Sequence, residues 1–211
     1  MTVFYNSTLR QWCLFHQGSL LGKLNWMGIP ILKNPIDLAM YWEILWEKKP
    51  DTIVEVGSMY GGSALFFATL LDTFSGNGKV ITIDIDHSKF RADYPSIYKI
   101  TGDSASPEVF ERATDLCEGR VMVVHDGAHD AEQVYKDLCL YGQLVSPGQY
   151  LVVEDTIIDE FQPGDSIGTT CAGPGEAARK FLATHPEFIA DLHRERYFLT
   201  YNRGGWLLKV R

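Results

Sequence analysis

The sequence predicts an α/β protein built around a mostly parallel β-sheet with helices on both faces. Short runs of β-branched and apolar residues, typical of buried parallel strands, alternate along the chain with amphipathic segments of helical length. A glycine-rich turn follows the first of these runs, residues 52–56. Several later runs end in acidic residues, at the strand ends where α/β proteins bind ligands. These three observations favour a single ligand-binding α/β domain.

Length and composition narrow the class of protein. The 211 residues suit one domain, 1–211, and the 45% hydrophobic and 22% charged residues are typical of a soluble globular protein. A net charge of −8 without a basic block argues against nucleic acid as the main partner. No stretch approaches the roughly 20 apolar residues of a membrane span, and no signal sequence is apparent. The cysteines are widely spaced and expected to be reduced, so the sequence predicts a cytoplasmic protein.

Residues 1–48 are predicted to form a helical N-terminal segment. Helices are expected over 8–24 and 36–48, joined by a loop in which two prolines block regular structure. The first helix would pack on the sheet or on a neighbouring subunit, and we expect a homo-oligomer. Trp42 and Trp46 lie on the apolar stripe of the second helix and are predicted to be buried.

The first strand leads into a glycine-rich turn and a helix predicted over 63–71. Gly57 allows a sharp turn, and Gly61 and Gly62 are predicted to let a ligand approach the backbone because they carry no Cβ. A strand, a glycine turn and a helix N-terminus together form a nucleotide-type site. The alternative is an ordinary strand–loop–helix turn. The predicted cofactor contacts of this region are Glu55, Gly57, Ser58, Gly61, Gly62 and Ser63.

The acidic residue in this strand narrows the type of cofactor. Glu55 would repel a pyrophosphate, and the spacing Glu-x-Gly-x-x-x-Gly-Gly differs from the dinucleotide fingerprint. A carboxylate suits a cofactor with a cationic end, such as the amino and sulfonium groups of S-adenosylmethionine. We therefore expect a cofactor of this kind.

A second strand is predicted over 79–84 and ends in Asp84. A carboxylate at this position can accept both ribose hydroxyls of an adenosine moiety. The alternative is that Asp84 or Asp86 caps the following turn. We prefer Asp84 as the ribose contact because it lies at the carboxyl end of the strand.

A third, weaker strand over 96–101 is followed by Asp103 and Ser104. These side chains are placed to hydrogen-bond an adenine edge. They could equally cap a helix predicted over 107–118, which begins with a proline in its first turn. The two roles are compatible.

The fourth and fifth predicted strands, 120–125 and 149–153, both end in acids. Because neighbouring parallel strands finish at the same edge of a sheet, Asp126, Glu154 and Asp155 can converge on one hard divalent cation. Carboxylates and waters suit Mg²⁺, which prefers octahedral oxygen ligands, and no nearby cluster of thiols argues for zinc. The alternative is two independent acidic loop ends.

His129 lies three residues beyond Asp126, at the start of a helix predicted over 131–144. Next to a metal ion and a methyl donor, it could take the proton of a substrate hydroxyl. The alternative is that it is a surface or capping residue. His125 is the weaker candidate because it directly precedes Asp126 and would point to the opposite side of the strand.

The rest of the chain predicts a covering loop and the end of the sheet. Residues 157–175 form the longest stretch without periodicity and directly follow the predicted metal ligands, so we expect a substrate-covering lid. A helix is expected over 176–185. Strands over 191–200 and 205–210, joined by a turn, predict an antiparallel hairpin that completes a seven-stranded sheet.

A family resemblance is carried by a set of short motifs. These are Trp26-x-Gly28, Pro50-Asp51, Glu55-x-Gly57-x-x-x-Gly61-Gly62-Ser63, Gly102-Asp103-Ser104, His125-Asp126-Gly-x-His129, Ser146-Pro-Gly148 and Glu154-Asp155-Thr156. Together they resemble the cephalosporin-hydroxylase-like family, over a region from about Trp26 to the C-terminus. That family groups S-adenosylmethionine-dependent proteins that modify natural products and sugars, including macrolide and rhamnosyl O-methyltransferases.

The resemblance implies a Rossmann-like methyltransferase fold and an S-adenosylmethionine- and Mg²⁺-dependent O-methyltransferase that acts on a hydroxyl of a natural product or sugar. By it, Asp126, Glu154 and Asp155 match metal ligands, and His129 matches a general base. Asp126 is then expected to take part in both cofactor binding and catalysis. Two alternatives stay open: an S-adenosylmethionine-binding tailoring protein of hydroxylase or cyclase type, and a non-catalytic partner subunit.

Overall fold

The computed structural model describes residues 8–161 and 172–211, apart from the side chain of Ser75. The strands are β1 Asn25–Trp26, β2 Ile29–Pro30, β3 Thr52–Val56, β4 Lys79–Asp84, β5 Ile97–Thr101, β6 Val121–His125, β7 Tyr150–Val153, β8 Phe188–Ala190 and β9 Trp206–Lys209. The α-helices are α1 Leu9–Ser19, α2 Pro35–Lys48, α3 Gly62–Ser75, α4 Pro107–Leu116, α5 Ala131–Tyr141 and α6 Pro174–Thr184, and short 3₁₀ helices cover Thr156–Glu160 and Leu192–Glu195. None of these helices is long and apolar enough to cross a membrane.

One seven-stranded sheet forms the centre of the molecule, in the order β5-β4-β3-β6-β7-β9-β8. The strands from β5 to β7 are parallel, whereas β9 runs antiparallel to both of its neighbours. The chain builds the sheet outward from β3 to β5, then returns to the other side of β3 with β6. A ligand crevice is expected at the carboxyl ends of the strands where this reversal occurs. The predicted mostly parallel sheet with an antiparallel C-terminal hairpin is confirmed.

Alternate residues of the central strands face two hydrophobic clusters, one on each side of the sheet. Val54 and Val56 of β3 pack into a cluster with α4, α5 and α6, whereas Ile53 packs into a second cluster with α2 and α3. Tyr41 and Trp206 are fully buried in the second cluster. Helices therefore cover both faces of the sheet, as predicted.

The N-terminal segment differs from the prediction in two places. Helix α1 ends at Ser19, and part of the predicted loop forms an antiparallel hairpin of β1 and β2. Pro30 lies in this two-stranded hairpin, where an edge position tolerates a residue without an N–H donor. Helix α2 then begins as expected, with Asn34 as its N-cap and Pro35 in its first turn.

The prediction that Trp42 and Trp46 are buried is wrong. Their side chains are 52% and 55% exposed. The inward face of α2 includes Tyr41 and Leu45, which are fully buried. Each tryptophan directly follows one of these residues and therefore lies about 100° further round the helix.

The prediction of the first strand of the C-terminal hairpin, over 191–200, is also wrong. The strand that pairs with β9 on this side is β8, and the region predicted over 191–200 contains a 3₁₀ helix, Leu192–Glu195. The Asp191 side chain accepts a hydrogen bond from the backbone N–H of His193, at 3.2 Å. A short polar side chain that bonds the backbone in this way starts a turn where the sequence pattern alone continues the strand.

The lid predicted over 157–175 can be located only at its two ends. Residues 162–171 lie outside the described residues. At one end, residues 157–160 belong to the 3₁₀ helix Thr156–Glu160, and at the other end α6 begins at Pro174. A covering function for this stretch therefore stays a prediction.

Candidate functional site

A cavity of about 630 Å³ opens at the carboxyl ends of β3, β4, β6 and β7. Its volume is in the range of small-molecule and cofactor sites. It lies where the order of the strands reverses, the expected place for a ligand. Glu55 and Gly61 are not among its lining residues, and His129 and Asp155 are. The predicted cofactor contacts that line the cavity are Gly57, Ser58, Gly62, Ser63, Asp84, Asp103, Ser104 and Asp126.

The glycines at the start of α3 are required by packing within the protein. A Cβ on Gly62 would lie 2.2 Å from the carbonyl oxygen of Pro30. At Gly61, φ is +80° and a Cβ would lie 2.6 Å from the ring of Phe90. The structure gives these two glycines a packing reason, and the predicted approach of a ligand to their backbone stays a prediction. Their missing Cβ atoms make room for β2 and for Phe90.

The turn after β3 is held by Asp84, at the end of β4. Asp84 Oδ2 accepts hydrogen bonds from the backbone N–H groups of Ser58, at 2.8 Å, and Met59, at 3.1 Å. Its Oδ1 accepts one from the N–H of Asp86, at 3.1 Å, which is the turn-capping contact considered for this position. Gly57 has φ +97°, and a Cβ there would lie 2.1 Å from a carbonyl oxygen just after β6. Asp84 therefore shapes the turn as well as lining the cavity, and its contact with a ribose stays a prediction.

Glu55 lies in β3 beside the cavity as a fully buried side chain. Its Oε2 accepts a hydrogen bond from the Thr82 hydroxyl, at 2.6 Å, and its Oε1 has no hydrogen-bond partner among the described residues. Burial raises the pKa of Glu55 to about 7, although the charge of Lys33 and a hydrogen bond from the Ser63 side chain both lower it. Glu55 does not line the cavity, so its contact with the amino end of a cofactor stays a prediction.

Ser104 is fixed by a buried network that sequence reasoning does not identify. Its hydroxyl lies 3.0 Å from both carboxylate oxygens of Asp137, a buried residue of α5. Asp137 Oδ2 lies 3.0 Å from His125 Nε2, and the Gln133 amide donates to Asp137 Oδ1 at 3.3 Å. His125 therefore faces α5 instead of the cavity, as its position in the strand predicts. The network joins the loop after β5 to the last residue of β6.

The alternative that Asp103 or Ser104 caps α4 is wrong. The N-cap of α4 is Ser106, whose hydroxyl accepts a hydrogen bond from the N–H of Val109, at 3.2 Å. Asp103 Oδ1 accepts one from the N–H of Ala105, at 2.9 Å, and so holds the loop between β5 and α4. Both predicted adenine contacts line the cavity.

The acidic ends of β6 and β7 converge at the edge of the cavity. Asp126, His129 and Asp155 place ligand atoms within 4.8 Å of one another. His129 Nε2 lies 3.2 Å from Asp155 Oδ2, and this contact with Asp155 raises the pKa of His129. Asp155 has φ +57°, and its N–H donates to the Asn202 side chain at 3.1 Å, which fixes the backbone. Two carboxylates and an imidazole fit a divalent cation.

Glu154 is not part of this cluster and contacts Lys33 and Tyr41 instead. Both of its carboxylate oxygens lie 2.7 Å from Nζ of Lys33, and the Tyr41 hydroxyl donates to Oε1 at 2.5 Å. Lys33 Nζ also lies 2.7 Å from Asp126 Oδ2. Burial lowers the pKa of Lys33, but the charges of Asp126 and Glu154 raise it by a larger amount. The net pKa is therefore above its usual value, and the ammonium stays protonated. The structure thus places a lysine between two of the three predicted metal ligands.

Sequence reasoning does not identify Lys33 or Tyr41 as part of the site. Lys33 follows a run of four apolar residues, Ile-Pro-Ile-Leu, and precedes Asn34, the N-cap of α2. A lysine in such a context is expected to be buried, and a buried lysine requires an acidic partner. This signal could have identified Lys33, whereas the hydroxyl of Tyr41 belongs to an apolar helix face and gives no comparable signal.

Comparison of the sequence with known families and proteins gives consistent matches. A family model described as rhamnosyl O-methyltransferase/CmcI matches residues 19–210. The rhamnosyl O-methyltransferase of Mycobacterium leprae is 34% identical over 191 residues, which cover 87% of this chain and 82% of the relative. The rhamnosyl O-methyltransferase of Mycobacterium bovis BCG is 30% identical over 191 residues, which cover 87% of this chain and 74% of the relative.

Solved structures have a similar fold. A CmcI structure described with Mg and SAM has a TM-score of 0.70 at 22% identity, covering 100% of this chain and 88% of that one. A putative caffeoyl-CoA O-methyltransferase from Staphylococcus aureus has a TM-score of 0.53 at 15% identity, covering 87% of this chain and 85% of that one. At these identities the likeness bears on the fold, and the predicted Rossmann-like fold is confirmed.

Proposed function

Because this chain belongs to the rhamnosyl O-methyltransferase/CmcI family, we propose that it is an S-adenosylmethionine- and Mg²⁺-dependent O-methyltransferase. Its acceptor is a small molecule, and the methylated group is a hydroxyl of a sugar moiety or of another part of a natural product. The observation that carries the proposal is the convergence of Asp126, His129 and Asp155 at the edge of a cavity that Asp84 also lines.

The donor is proposed to lie along the carboxyl ends of β3, β4 and β5. Asp84 supplies acceptor oxygens for the ribose, and Asp103 and Ser104 supply polar groups for the adenine edge. Glu55, with its unpartnered Oε1, and Ser63 suit the amino-acid end of the donor. The first backbone N–H groups of α3 are available to a carboxylate.

The chemistry is proposed to occur where β6 and β7 end. When bound, S-adenosylmethionine supplies a methyl group on a sulfonium sulfur, and Mg²⁺ lowers the pKa of an acceptor hydroxyl. Asp126 and Asp155 would hold the cation. His129 would take the proton of the hydroxyl through the ring nitrogen that Asp155 does not contact, while Asp155 Oδ2, 3.2 Å from Nε2, orients the imidazole. Glu154, the third predicted ligand, can join them only if Lys33 releases it.

The acceptor is proposed to approach from the side of the N-terminal segment. Leu21, Pro30 and Leu32 line the cavity together with His129 and Asp155. An apolar wall opposite a polar reaction edge suits a ring that has an apolar face and hydroxyl groups on its rim. A sugar ring meets both requirements.

A hydroxylase of the familiar non-haem iron type is disfavoured by the composition of the cluster. Such enzymes bind iron with two histidines and one carboxylate. The cluster formed by the described residues has one histidine, His129, and two carboxylates. A cyclase or a non-catalytic partner would also leave the proposed base without a role.

A methyl-transfer assay tests the proposal. The protein is incubated with methyl-labelled S-adenosylmethionine and a panel of rhamnosides and other hydroxylated sugars, with Mg²⁺ or with a chelator. We expect transfer to a hydroxyl that requires the cation. Full transfer in chelator would contradict the metal role. Product formation that needs oxygen and iron, without methyl transfer, would favour the hydroxylase.

Replacing His129 tests the proposed base. His129→Ala is expected to lower kcat by roughly two to four orders of magnitude, because a positioned general base contributes a factor of this size. His193→Ala changes an exposed histidine of the 3₁₀ helix Leu192–Glu195 and serves as the control, with an unchanged rate expected. Equal rates for both variants would assign the base to another group.

We also propose that the protein acts in the cytoplasm as a homo-oligomer. Cys13, Cys117 and Cys139 are free thiols, which suits a reducing compartment. Trp42 and Trp46 are more than half exposed on α2, and subunit interfaces commonly cover aromatic surface of this kind. Light scattering after size exclusion measures the mass, and a monomeric mass would contradict the oligomer. Cell fractionation tests the location.

A further inference from the structure

Lys33 is a buried cation at the place where the proposed function requires a metal ion. It is 4% exposed and lies in the segment between β2 and α2. Its ammonium contacts Asp126 Oδ2 and both oxygens of Glu154, each at 2.7 Å. Lysine is almost never buried to this degree without such partners. The ammonium thus contacts two of the residues predicted to bind Mg²⁺ and offsets one of their negative charges.

A carboxylate that is paired with the Lys33 ammonium binds a divalent cation less strongly than a free one. Both oxygens of Glu154 lie within hydrogen-bond distance of Lys33, and Oε1 also accepts the Tyr41 hydroxyl. An ion bound to Asp126 would lie close to a fixed positive charge, and like charges in a partly buried site repel strongly. Either Lys33 moves away, or the ion binds weakly and without Glu154.

The surroundings of Lys33 allow its side chain to move while the backbone stays in place. Ile31 and Asn34, on either side, are each 1% exposed. Asn34 is tied twice, because its Oδ1 accepts a hydrogen bond from the N–H of Ile36 and its Nδ2 donates to the carbonyl of Leu199. Lys33 itself lines the cavity, into which its long aliphatic stem can swing.

We propose that Lys33 is a built-in competitor of the divalent cation, which must displace its ammonium before Glu154 can join Asp126 and Asp155 as a ligand. In the cation-free protein the ammonium offsets part of the negative charge of this edge and holds Asp126 and Glu154 in place. The cost of displacing it weakens cation binding and makes it reversible. This inference rests on the proposed function in so far as a cation belongs to this site.

Calorimetric titration of the full chain with Mg²⁺ alone tests the competition. Lys33→Met removes the ammonium and keeps most of the volume of the side chain. We expect it to bind Mg²⁺ at least about tenfold more tightly than the unchanged protein, because the repulsion is gone. Lys23→Met, at an exposed lysine outside the cavity, and Tyr41→Phe, which keeps Lys33 but frees Glu154 from one hydrogen bond, are the controls. Both controls are expected to stay within about twofold.

Thermal unfolding provides a second measurement that does not depend on activity. The melting temperature of the unchanged protein is expected to be the same in chelator and in buffer, because the Lys33 ammonium already supplies a counter-charge to Asp126 and Glu154. The melting temperature of Lys33→Met is expected to fall in chelator and to rise when Mg²⁺ is added, since ligand binding stabilises the folded state. Because each comparison is made within one variant, the expected difference holds even if Lys33→Met is less stable than the unchanged protein.

The outcomes separate this inference from the proposed function. Equal or weaker Mg²⁺ binding by Lys33→Met would overturn the competitor role, as would an equal gain in Tyr41→Phe. If Lys33→Met binds Mg²⁺ and the unchanged protein does not, the inference stands and the proposed cation dependence fails. If neither binds Mg²⁺, both fail.

Discussion

Glu55 and Glu154 are both buried acids near the carboxyl ends of parallel strands, but their partners differ. Glu55, on the donor side of the cavity, accepts a hydrogen bond from one hydroxyl and keeps one oxygen without a partner among the described residues. Glu154, on the cation side, is bonded to Lys33 and Tyr41 through both oxygens. Burial raises the pKa of each acid above its usual value. The acid on the donor side thus keeps one oxygen without a partner among the described residues, whereas the acid on the cation side is bound to its own counter-ion.

The two sides of the cavity are also formed by different parts of the chain. The donor side depends on backbone turns and on residues at the carboxyl ends of β3, β4 and β5, such as Asp84. The cation side combines β6 and β7 with Lys33, which lies 93 residues from Asp126 and 121 residues from Glu154. Substitutions on the donor side should therefore change cofactor affinity, and those on the cation side should change turnover.

Among the substitutions that compare the two sides, the largest effect is expected at Asp126, which contributes to the cation cluster and contacts Lys33. Asp126→Asn keeps the shape of the side chain and removes its charge. We expect Mg²⁺-stimulated methyl transfer to fall about a thousandfold, because charge stabilisation by a metal ion is worth several kcal/mol. Steady-state rates with Mg²⁺ and with chelator measure the loss, and circular dichroism checks the fold.

The same variant tests whether the two sides are separable. The affinity for S-adenosylhomocysteine, measured by calorimetry, should change far less than turnover in Asp126→Asn. Asp115→Asn, at an exposed acid of α4, is the matched control and should change neither. A parallel loss of affinity and turnover would show that Asp126 belongs to the donor side as much as to the cation side.

A smaller effect is expected at Glu55 and appears in stability. The pKa of Glu55 rises from 4.5 to about 7 on folding. Between these values the folded protein holds more protons than the unfolded chain, so the free energy of unfolding falls as pH rises through this window. Glu55→Gln removes the effect, and its stability relative to the unchanged protein should rise by up to about 3 kcal/mol between acid and neutral pH.

Urea unfolding at a series of pH values measures this difference. Glu111→Gln, at an exposed glutamate of α4, is the control and should leave the pH profile unchanged. A profile for Glu55→Gln that runs parallel to that of the unchanged protein would mean that Glu55 is ionised and paired in the folded state. The contrast with Glu154 would then disappear.

The sequence predicts the parts of this molecule that depend on neighbours along the chain. Asp84, Asp126 and Asp155 each lie one or two residues beyond an apolar residue of a strand, so the strand pattern alone brings them to one edge of the sheet. It does not reveal which face of α2 is buried, and Trp42 and Trp46 are therefore exposed against expectation. That choice depends on packing between α2 and α3, and long-range pairs such as Lys33 with Glu154 likewise exist only in the folded chain.

The smallest effect is expected at Asp137, which links the two sides. It contacts Ser104 of the donor side and His125, the last residue of β6, each at 3.0 Å. Asp137→Asn keeps the shape but offers one donor and one acceptor where two acceptor oxygens are needed, and a lost buried hydrogen bond costs about 1–3 kcal/mol. We therefore expect the affinity for S-adenosylhomocysteine to fall by about tenfold with kcat nearly unchanged.

Calorimetry and saturation kinetics measure the two quantities separately. Asp130→Asn, at the exposed N-cap of α5, keeps a side-chain oxygen that can cap the helix and serves as the control on the same element. A fall in kcat in Asp137→Asn that matches the fall in affinity would mean that His125 transmits the change along β6 to the adjacent Asp126. The donor and cation sides would then act as one unit, coupled through a buried carboxylate that neither ligand is proposed to touch.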